Sequence, residues 1–413
     1  MTEAVAQNRL DVAAVRAQFP ALHQLVNGRP LVYLDNAATT QKPASVLRAL
    51  TAYYEQDNAN IHRGIHTLAE RATRSFEATR LTVRDFLNAP SETEIIFTRG
   101  VTESINLVAS SWGRSQLQPG DEILISGLEH HSNIVPWQLI ASEKGAVIKV
   151  IPVLNDGSLD MASYETLLSP RTRMVAFNHA SNALGTINPA KALIDLAHRA
   201  GALVLVDGAQ AASHLKVDVQ DLGCDFYCIS SHKLYGPTGV GVLFGKRHLL
   251  DQMPPYQGGG EMIREVSFNG TTFNDPPYKF EAGTPNIADV VAFKEALDFL
   301  KNLSDFNFRS HEQNLLDTFC REVSANKRVR LVGTSADKVS VQSFVIDRVH
   351  HFDAGQMLDA RGIAVRTGHH CAQPLMDRFE LEGTIRASFA VYNTVEEVHE
   401  LVQGINWITK FVP

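Results

Sequence analysis

Residues 224–245, CDFYCISSHKLYGPTGVGVLFG, decide how this chain reads. An apolar run ends in Ser230, Ser231, His232 and Lys233, then turns through Gly236, Pro237 and Gly239 into a second apolar run. Short apolar runs bounded by Gly and Pro read as strands buried on both faces. A lysine just past such a strand has surroundings that favour its neutral amine, the form that condenses with an aldehyde. The small residues beside it leave room for a bulky partner. Standing alone, Lys233 also reads as a solvated loop lysine, so its neighbours have to decide.

On either side, EIIFT (94–98), DEILIS (121–126), RMVAFN (173–178), ALVLVD (202–207) and GVGVLF (239–244) alternate with stretches of helical period. That alternation marks a largely parallel, doubly wound α/β sheet. AKALIDLAHRAG (190–201) predicts one of the connecting helices, starting after Pro189 and ending at Gly201. Residues 254–285, rich in Gly and Pro, predict loops and a hairpin. Beyond about residue 290, VSVQSFVI, DAGQMLDARG, IAVRT and TIRASF read as βαβ-like runs closed by an amphipathic helix. A chain of 413 residues exceeds one simple core. The expected organisation is a large domain over 20–297 and a smaller α+β domain formed by 1–19 and 298–413.

Hydrophobic residues at 44% and charged residues at 20% belong to an ordinary globular protein. A net charge of -7 gives no general basic field, which argues against nucleic acid as a partner. MTEAVAQNRLDVAAVRAQFP has an early acid and no continuous apolar stretch, so it reads as neither a secretory signal nor a presequence. No other segment has the apolar length a membrane span needs. The expectation is a soluble, cytoplasmic protein with a small-molecule substrate. Cys224, Cys228, Cys320 and Cys371 are too few and too scattered for a disulfide scaffold, and read as free thiols.

Several residues converge on the carboxyl edge of the expected sheet, where open α/β sheets bind ligands. ALVLVD ends in Asp207 and turns to Gln210. A pyridoxal phosphate site needs a carboxylate against the ring nitrogen, for which Asp207 is the candidate, and Gln210 is placed to donate to the ring phenolate. FTRGVTESINLVASSW leads through Gly100 to a helix start near Thr102, whose free N–H groups and hydroxyl suit a phosphate. EHHSN sets His130 and His131 after DEILIS, where an imidazole can stack on a flat ring and move protons. Each has a plainer reading: Asp207 or Thr102 as a helix cap, Gln210 at the surface, the histidines packed or solvated.

In this order, from YLDNAATT (33–40) to the last helix, the pieces resemble the fold-type I pyridoxal phosphate enzymes. Within them they are most similar to the class-V aminotransferase group that contains cysteine desulfurases and selenocysteine lyases. The resemblance implies that Lys233 bonds the cofactor, Asp207 pairs with the pyridinium, Gln210 contacts the phenolate oxygen and His130 stacks on the ring. It further implies that Thr102, Ser230 and His232 bind the phosphate and that Asn182 of SNALGT lies beside the cofactor. Thr284 of EAGTP resembles the residue such enzymes lend to the neighbouring subunit's phosphate site, which implies a homodimer.

AVRTGHHCAQP (364–374) sets Cys371 in a compact turn among Arg366, His369 and His370. Polar and basic neighbours favour a thiolate. With cysteine held on the cofactor, such a thiolate is able to take the substrate's sulfur as a persulfide and leave alanine, with Lys233 and His130 as proton carriers. Two plainer readings compete, a small buried hydrophobe and a metal ligand set of His369, His370 and Cys371. Adjacent residues in a tight turn do not readily all face one ion, so no metal is expected. Cys224 and Cys228, in an apolar run, read as core. The substrate carboxylate needs a guanidinium fork, for which Arg386 and Arg366 are the candidates, Arg386 the stronger by resemblance. NIHRGIH, with His62 and Arg63, matches a family motif near the active-site entrance.

The short RTGHHCAQP turn resembles the SUF-system branch, which implies sulfur transfer to a SufE- or SufU-type acceptor and iron-sulfur cluster assembly. The expected function is therefore a cysteine desulfurase acting on L-cysteine. Selenocysteine lyase acting on L-selenocysteine is the nearest rival, separated by whether each substrate depends on Cys371. An aminotransferase would form a keto acid instead of alanine, and a non-catalytic pyridoxal phosphate scaffold would not need both Lys233 and Cys371.

Overall fold

The structure, a computed structural model, describes residues 10–303 and 307–412. Its centre is a sheet of seven strands: β1 (Ile95–Thr98), β2 (Glu122–Ser126), β3 (Val147–Ile151), β4 (Thr172–Asn178), β5 (Leu203–Asp207), β6 (Phe226–Ser230) and β7 (Gly241–Gly245). They lie in the order β1-β7-β6-β5-β4-β2-β3. Neighbours pair in parallel except at β7, which runs against both β1 and β6. The carboxyl ends of the other six strands therefore share one edge.

Both faces of the sheet are covered, as the apolar runs require. Val204, Val206, Tyr227 and Ile229 point into one core, whereas Leu205, Phe226 and Cys228 point into the other. Helices α1 (Thr67–Leu87), α3 (Ala190–Arg199) and α4 (Ile287–Leu303) supply the first core, and α2 (Val101–Val108) supplies the second. The helix expected from AKALIDLAHRAG starts after Pro189, and the chain leaves it through Gly201 at φ 81°. A left-handed residue there suits glycine, which carries no Cβ to clash. Cys224 and Cys228 are fully buried, as read. The Gly/Pro-rich excursion forms the antiparallel hairpin β8 (Ile263–Ser267) and β9 (Gly270–Phe273), whose turn exposes Phe268.

The smaller sheet holds β10 (Val329–Val332), β11 (Val341–Ile346), β12 (Arg366–Gly368) and β13 (Thr384–Ser388) in the order β10-β11-β13-β12. Its pairing corrects the βαβ-like reading, because every neighbour is antiparallel. IAVRT is divided: Ile363 and Ala364 pair in parallel with Val32 and Tyr33, and only Arg366 and Thr367 enter the small sheet. Helices α5 (Phe308–Val323) and α6 (Val395–Phe411) cover it, burying Leu315, Phe319, Leu401 and Ile405 against Phe344 and Ile385.

Of the segment expected to complete the smaller domain, residues 1–9 lie outside the described residues, as do 304–306 and 413. The described part carries a short helix, Val12–Arg16, capped by Asp11. Arg16 pairs with Glu397 at 2.9 Å, and Phe19 is fully buried among Tyr235, Phe299 and Tyr392.

Candidate active site

The shared edge opens into a cavity of about 820 Å³. From the main sheet it is lined by Thr102, His130, Asn182, Asp207, Gln210, Ser230, His232 and Lys233, and from the smaller sheet and its turn by Arg366, Cys371 and Arg386. Residues spread over nearly three hundred positions of sequence meet because five strands end here and the β12 turn faces them.

Lys233 lies in the turn Ser231–Lys233 that follows β6. Burial pulls its amine down to about 8, against the opposing pull of the Asp207 charge. Asp207, at the end of β5, is 5% exposed and accepts one hydrogen bond, from the Ala209 N–H at 2.9 Å. Burial raises its acid above the ordinary carboxylate range, so the site favours a cation beside it. The chain leaves Asp207 through Gly208, where a Cβ would stand 2.1 Å from the Tyr227 ring. Gln210 donates to the Ala37 carbonyl at 2.6 Å.

At the start of α2, the Val101 N–H donates to Ser230 Oγ at 2.9 Å, which ties the helix N-terminus to the end of β6 and leaves the Ser230 hydroxyl proton free to donate. Thr102 follows at the cavity rim. The His232 carbonyl accepts from Thr39 Oγ1 at 3.0 Å and Lys42 Nζ at 2.9 Å. Burial holds the His232 imidazole at about 4.

His130 is driven down to about 3 by burial and then by the Lys233 charge. Its Nδ1 accepts from the Ser132 N–H at 3.1 Å, so a neutral ring carries its proton on Nε2. Glu129 fixes the loop from beneath: its carboxylate accepts from the Asn178 N–H at 2.9 Å and from Asn133 Nδ2 at 2.6 Å, and burial pushes it up to about 8.

Cys371 sits in the turn between β12 and the helix Gln373–Arg378. His370 and Cys371 have φ values of 52° and 53°, two successive left-handed residues. The Cys371 carbonyl accepts from the His131 N–H at 2.7 Å and its own N–H donates to His369 Nδ1 at 3.1 Å. Asn182 Nδ2 donates to the His370 carbonyl at 2.8 Å.

Arg386 is 3% exposed; its guanidinium donates to the Asn182 carbonyl at 2.9 Å and to Asp35 Oδ1 at 3.1 Å. Its Nε is buried without a partner. Such a group costs about 1–3 kcal/mol unless something accepts from it. Arg366 approaches the other Asp35 oxygen at 3.7 Å.

Three expected residues lie elsewhere. His62 pairs with Glu77 at 2.9 Å, Arg63 with Glu261 at 3.2 Å, and Thr284 is exposed. Glu261 immediately precedes the hairpin, and Gly283, beside Thr284, donates to the Gly260 carbonyl at 3.0 Å, so all three cluster at the hairpin base. The sequence reading assigned no role to Asp35, Glu129 or the His131 contact. Asp35 stands in the quoted YLDNAATT, but nothing local marks it as the anchor of two arginines more than 300 positions away.

A buried amine with a lowered pKa, a buried acid suited to a cation, a hydroxyl-bearing helix N-terminus and a guanidinium in the cavity wall together fit pyridoxal phosphate carrying an amino acid. Among the described residues no group of three His, Cys, Asp or Glu side chains is arranged to hold a metal ion, and no helix is long and apolar enough to cross a membrane.

The aminotransferase class-V family model matches residues 32–401. A probable cysteine desulfurase of Vibrio cholerae is 51% identical over 397 residues, covering 96% of this chain and 98% of the relative. A probable cysteine desulfurase of Mycobacterium leprae is 51% identical over 400 residues; the match covers 97% of this chain but 66% of that relative. Among solved structures, an Escherichia coli cysteine desulfurase in an S-sulfonic acid form superposes with a TM-score of 0.92 at 42% identity, covering 98% of this chain and 100% of that one.

Proposed function

The chain belongs to the class-V aminotransferase family, and from that premise we infer that it is a pyridoxal phosphate-dependent cysteine desulfurase. The observation that carries this reading is that Lys233, Cys371 and Arg386 all line one cavity. An amine, a thiol and a carboxylate receptor are the three groups that sulfur removal from an amino acid requires.

Bound pyridoxal phosphate supplies an electron sink that acidifies the Cα–H of an attached amino acid. Lys233 would hold it, and its amine, near enough to neutrality, would carry the Cα proton. Asp207 keeps the ring nitrogen protonated. Thr102, Ser230 and His232 would hold the phosphate, Gln210 would reach the phenolate oxygen, and Asn182 and His130 would lie beside the ring. His130, held neutral by burial, would pack on that ring without adding a second cation. Arg386 takes the substrate carboxylate, with Arg366 beside it. Cys371 attacks the substrate sulfur: an S–S bond forms, the Cβ–S bond breaks with its electron pair going to carbon, and that carbon gains a proton. The products are alanine and a Cys371 persulfide.

The persulfide then passes to a SufE- or SufU-type acceptor for iron-sulfur cluster assembly, in a reducing cytoplasm that suits four unpaired cysteines. The enzyme is a homodimer. Thr284 is supplied to the partner's phosphate site, and His62 and Arg63, clustered with it, face the same boundary. The nearest rival reading is a selenocysteine lyase acting on L-selenocysteine in the same cavity, separated by whether each substrate depends on Cys371. The domain division at 20–297, with 1–19 and 298–413 forming the second unit, is supported by the contacts of Arg16 and Phe19 with Glu397 and Tyr392.

The test is turnover of cysteine by purified protein. Alanine and sulfide form when a reductant is present, and Cys371→Ser stops this while the bound cofactor keeps its absorbance. Normal turnover by Cys371→Ser would overturn the persulfide assignment. Borohydride reduction that labels no peptide containing Lys233 would overturn the whole reading.

A further inference from the structure

His131 grips the Cys371 turn at two points. Its backbone N–H donates to the Cys371 carbonyl at 2.7 Å, and its ring Nε2 accepts from the Gln373 N–H at 3.1 Å. The two contacts bracket the turn just after its left-handed residues, His370 and Cys371. A non-glycine residue in that region costs free energy, and two in succession persist only where surrounding contacts over-determine them. The turn's internal bonds, Cys371 N–H to His369 Nδ1 and Ala372 N–H to the His369 carbonyl at 2.8 Å, tie it only to itself. On the cavity side Asn182 holds the His370 carbonyl. His131 is what fastens the far end.

The adjacent residue is His130, which lines the cavity and whose loop is pinned by Glu129 to the ends of β2 and β4. Two neighbouring residues thus face opposite tasks, one toward the reacting atoms and one toward the nucleophile's turn. We propose that His131 is a positioning residue that sets the reach of Cys371 toward the substrate sulfur through these two hydrogen bonds. The proposal rests on the reading of Cys371 as the sulfur acceptor. The chemistry also fixes a tautomer: because Nε2 accepts from a backbone N–H, the neutral ring carries its proton on Nδ1, the opposite arrangement to His130.

The consequence is a split effect. His131→Ala keeps the backbone bond to the Cys371 carbonyl and removes the ring contact with the Gln373 N–H. It leaves the cofactor residues and Arg386 untouched, so cysteine binding, followed by the cofactor absorbance, stays within about twofold of wild type. Single-turnover persulfide formation falls roughly ten- to hundredfold, the scale on which misplacing a reacting group acts. Amide hydrogen exchange across 369–376 accelerates by about tenfold, while exchange in β5 and β6 is unchanged. His131→Gln, whose side-chain oxygen can accept from Gln373, recovers most of both. A purely structural role for His131 would lower the melting temperature without this split and without rescue. Persulfide formation and 369–376 exchange both at wild-type levels in His131→Ala would overturn the proposal. If that variant fails to fold, nitrogen NMR of the histidine-labelled wild-type holoenzyme decides: a neutral His131 with its proton on Nδ1 supports the proposal, and a proton on Nε2 overturns it. The exchange and NMR readouts do not depend on which residue receives the sulfur. Failure of the reading of Cys371 as sulfur acceptor would instead appear as full cysteine turnover in Cys371→Ser.

Discussion

Asp35 and Arg386 meet beside the cavity with Oδ1 3.1 Å from Nη2, and the second Asp35 oxygen lies 3.7 Å from Arg366. One carboxylate therefore aims two guanidinium groups, and the Asn182 carbonyl takes a further N–H of Arg386. Burial lowers the Arg386 guanidinium below its ordinary range, and the Asp35 charge works against that. The geometry is that of a guanidinium held by Asp35 and Asn182 in the wall of the cavity.

The first prediction follows from that fork. Arg386→Lys supplies one compact charge in place of a planar donor set, and a single ammonium has no rigid second arm once Asp35 is satisfied. The KM for cysteine should rise roughly ten- to hundredfold, which is about 1.4–2.7 kcal/mol of lost carboxylate recognition. Steady-state kinetics with the cofactor absorbance unchanged is the check, and an unaltered KM would show that the carboxylate binds elsewhere.

Cofactor-free protein should reveal the environment of Lys233 directly. The folded amine titrates near 8, compared with 10.5 for an ordinary lysine, so labelling at Lys233 by an amine-specific reagent should rise with pH through about 8. Between these values the unfolded chain holds a proton that the folded chain has shed. Stability of the cofactor-free protein from this group therefore increases as pH rises from 8 to 10.5. Peptide mapping of the labelling rate against pH measures it; a midpoint near 10.5 would mean that the amine is solvated.

Much of this site is legible in the sequence, for a definite reason. Lys233, Asp207, Ser230 and His130 follow strands whose apolar runs are continuous, so their place at one sheet edge follows from strand direction alone. The edge strand VIKVI is weaker because its side chains are half-exposed and it is interrupted by Lys149. The reversal at β7 leaves no local mark, since a buried strand has the same composition in either direction. IAVRT misleads because one short run serves two sheets. Asp35 and the His131 staple are products of long-range closure, which no periodicity encodes.

Gly208 offers a test of how Asp207 is placed. An added Cβ would fall 2.1 Å from the Tyr227 ring carbon, so Gly208→Ala must displace the turn that carries the acid or shift a fully buried tyrosine. Overpacking of this kind costs about 1–3 kcal/mol. Because the turn moves with it, pyridoxal phosphate should be retained roughly tenfold less tightly. Equilibrium dialysis of the cofactor is the measurement, and wild-type retention would show that the turn absorbs the methyl without moving Asp207.

The last prediction concerns the described part of the N-terminal segment, residues 10–19, none of which lines the cavity. Phe19 is fully buried, with ring centroids 5.9 Å from Tyr235, 5.4 Å from Phe299 and 4.6 Å from Tyr392. Tyr235 lies two residues past Lys233 and has φ 63°, and its N–H donates to Thr40 Oγ1 at 2.9 Å, so the aromatic cluster backs the strained turn carrying the amine. Phe19→Ala empties a site walled by three rings that also meet one another, and truncations of this kind cost about 3–5 kcal/mol. Chemical denaturation should show that loss. Phe19→Leu should recover most of it, since volume-preserving apolar exchanges cost under about 1.5 kcal/mol. If stability falls in Phe19→Ala but cofactor retention does not, the cluster supports the fold without steadying Lys233. A parallel loss of both would place the N-terminal segment in mechanical contact with the site.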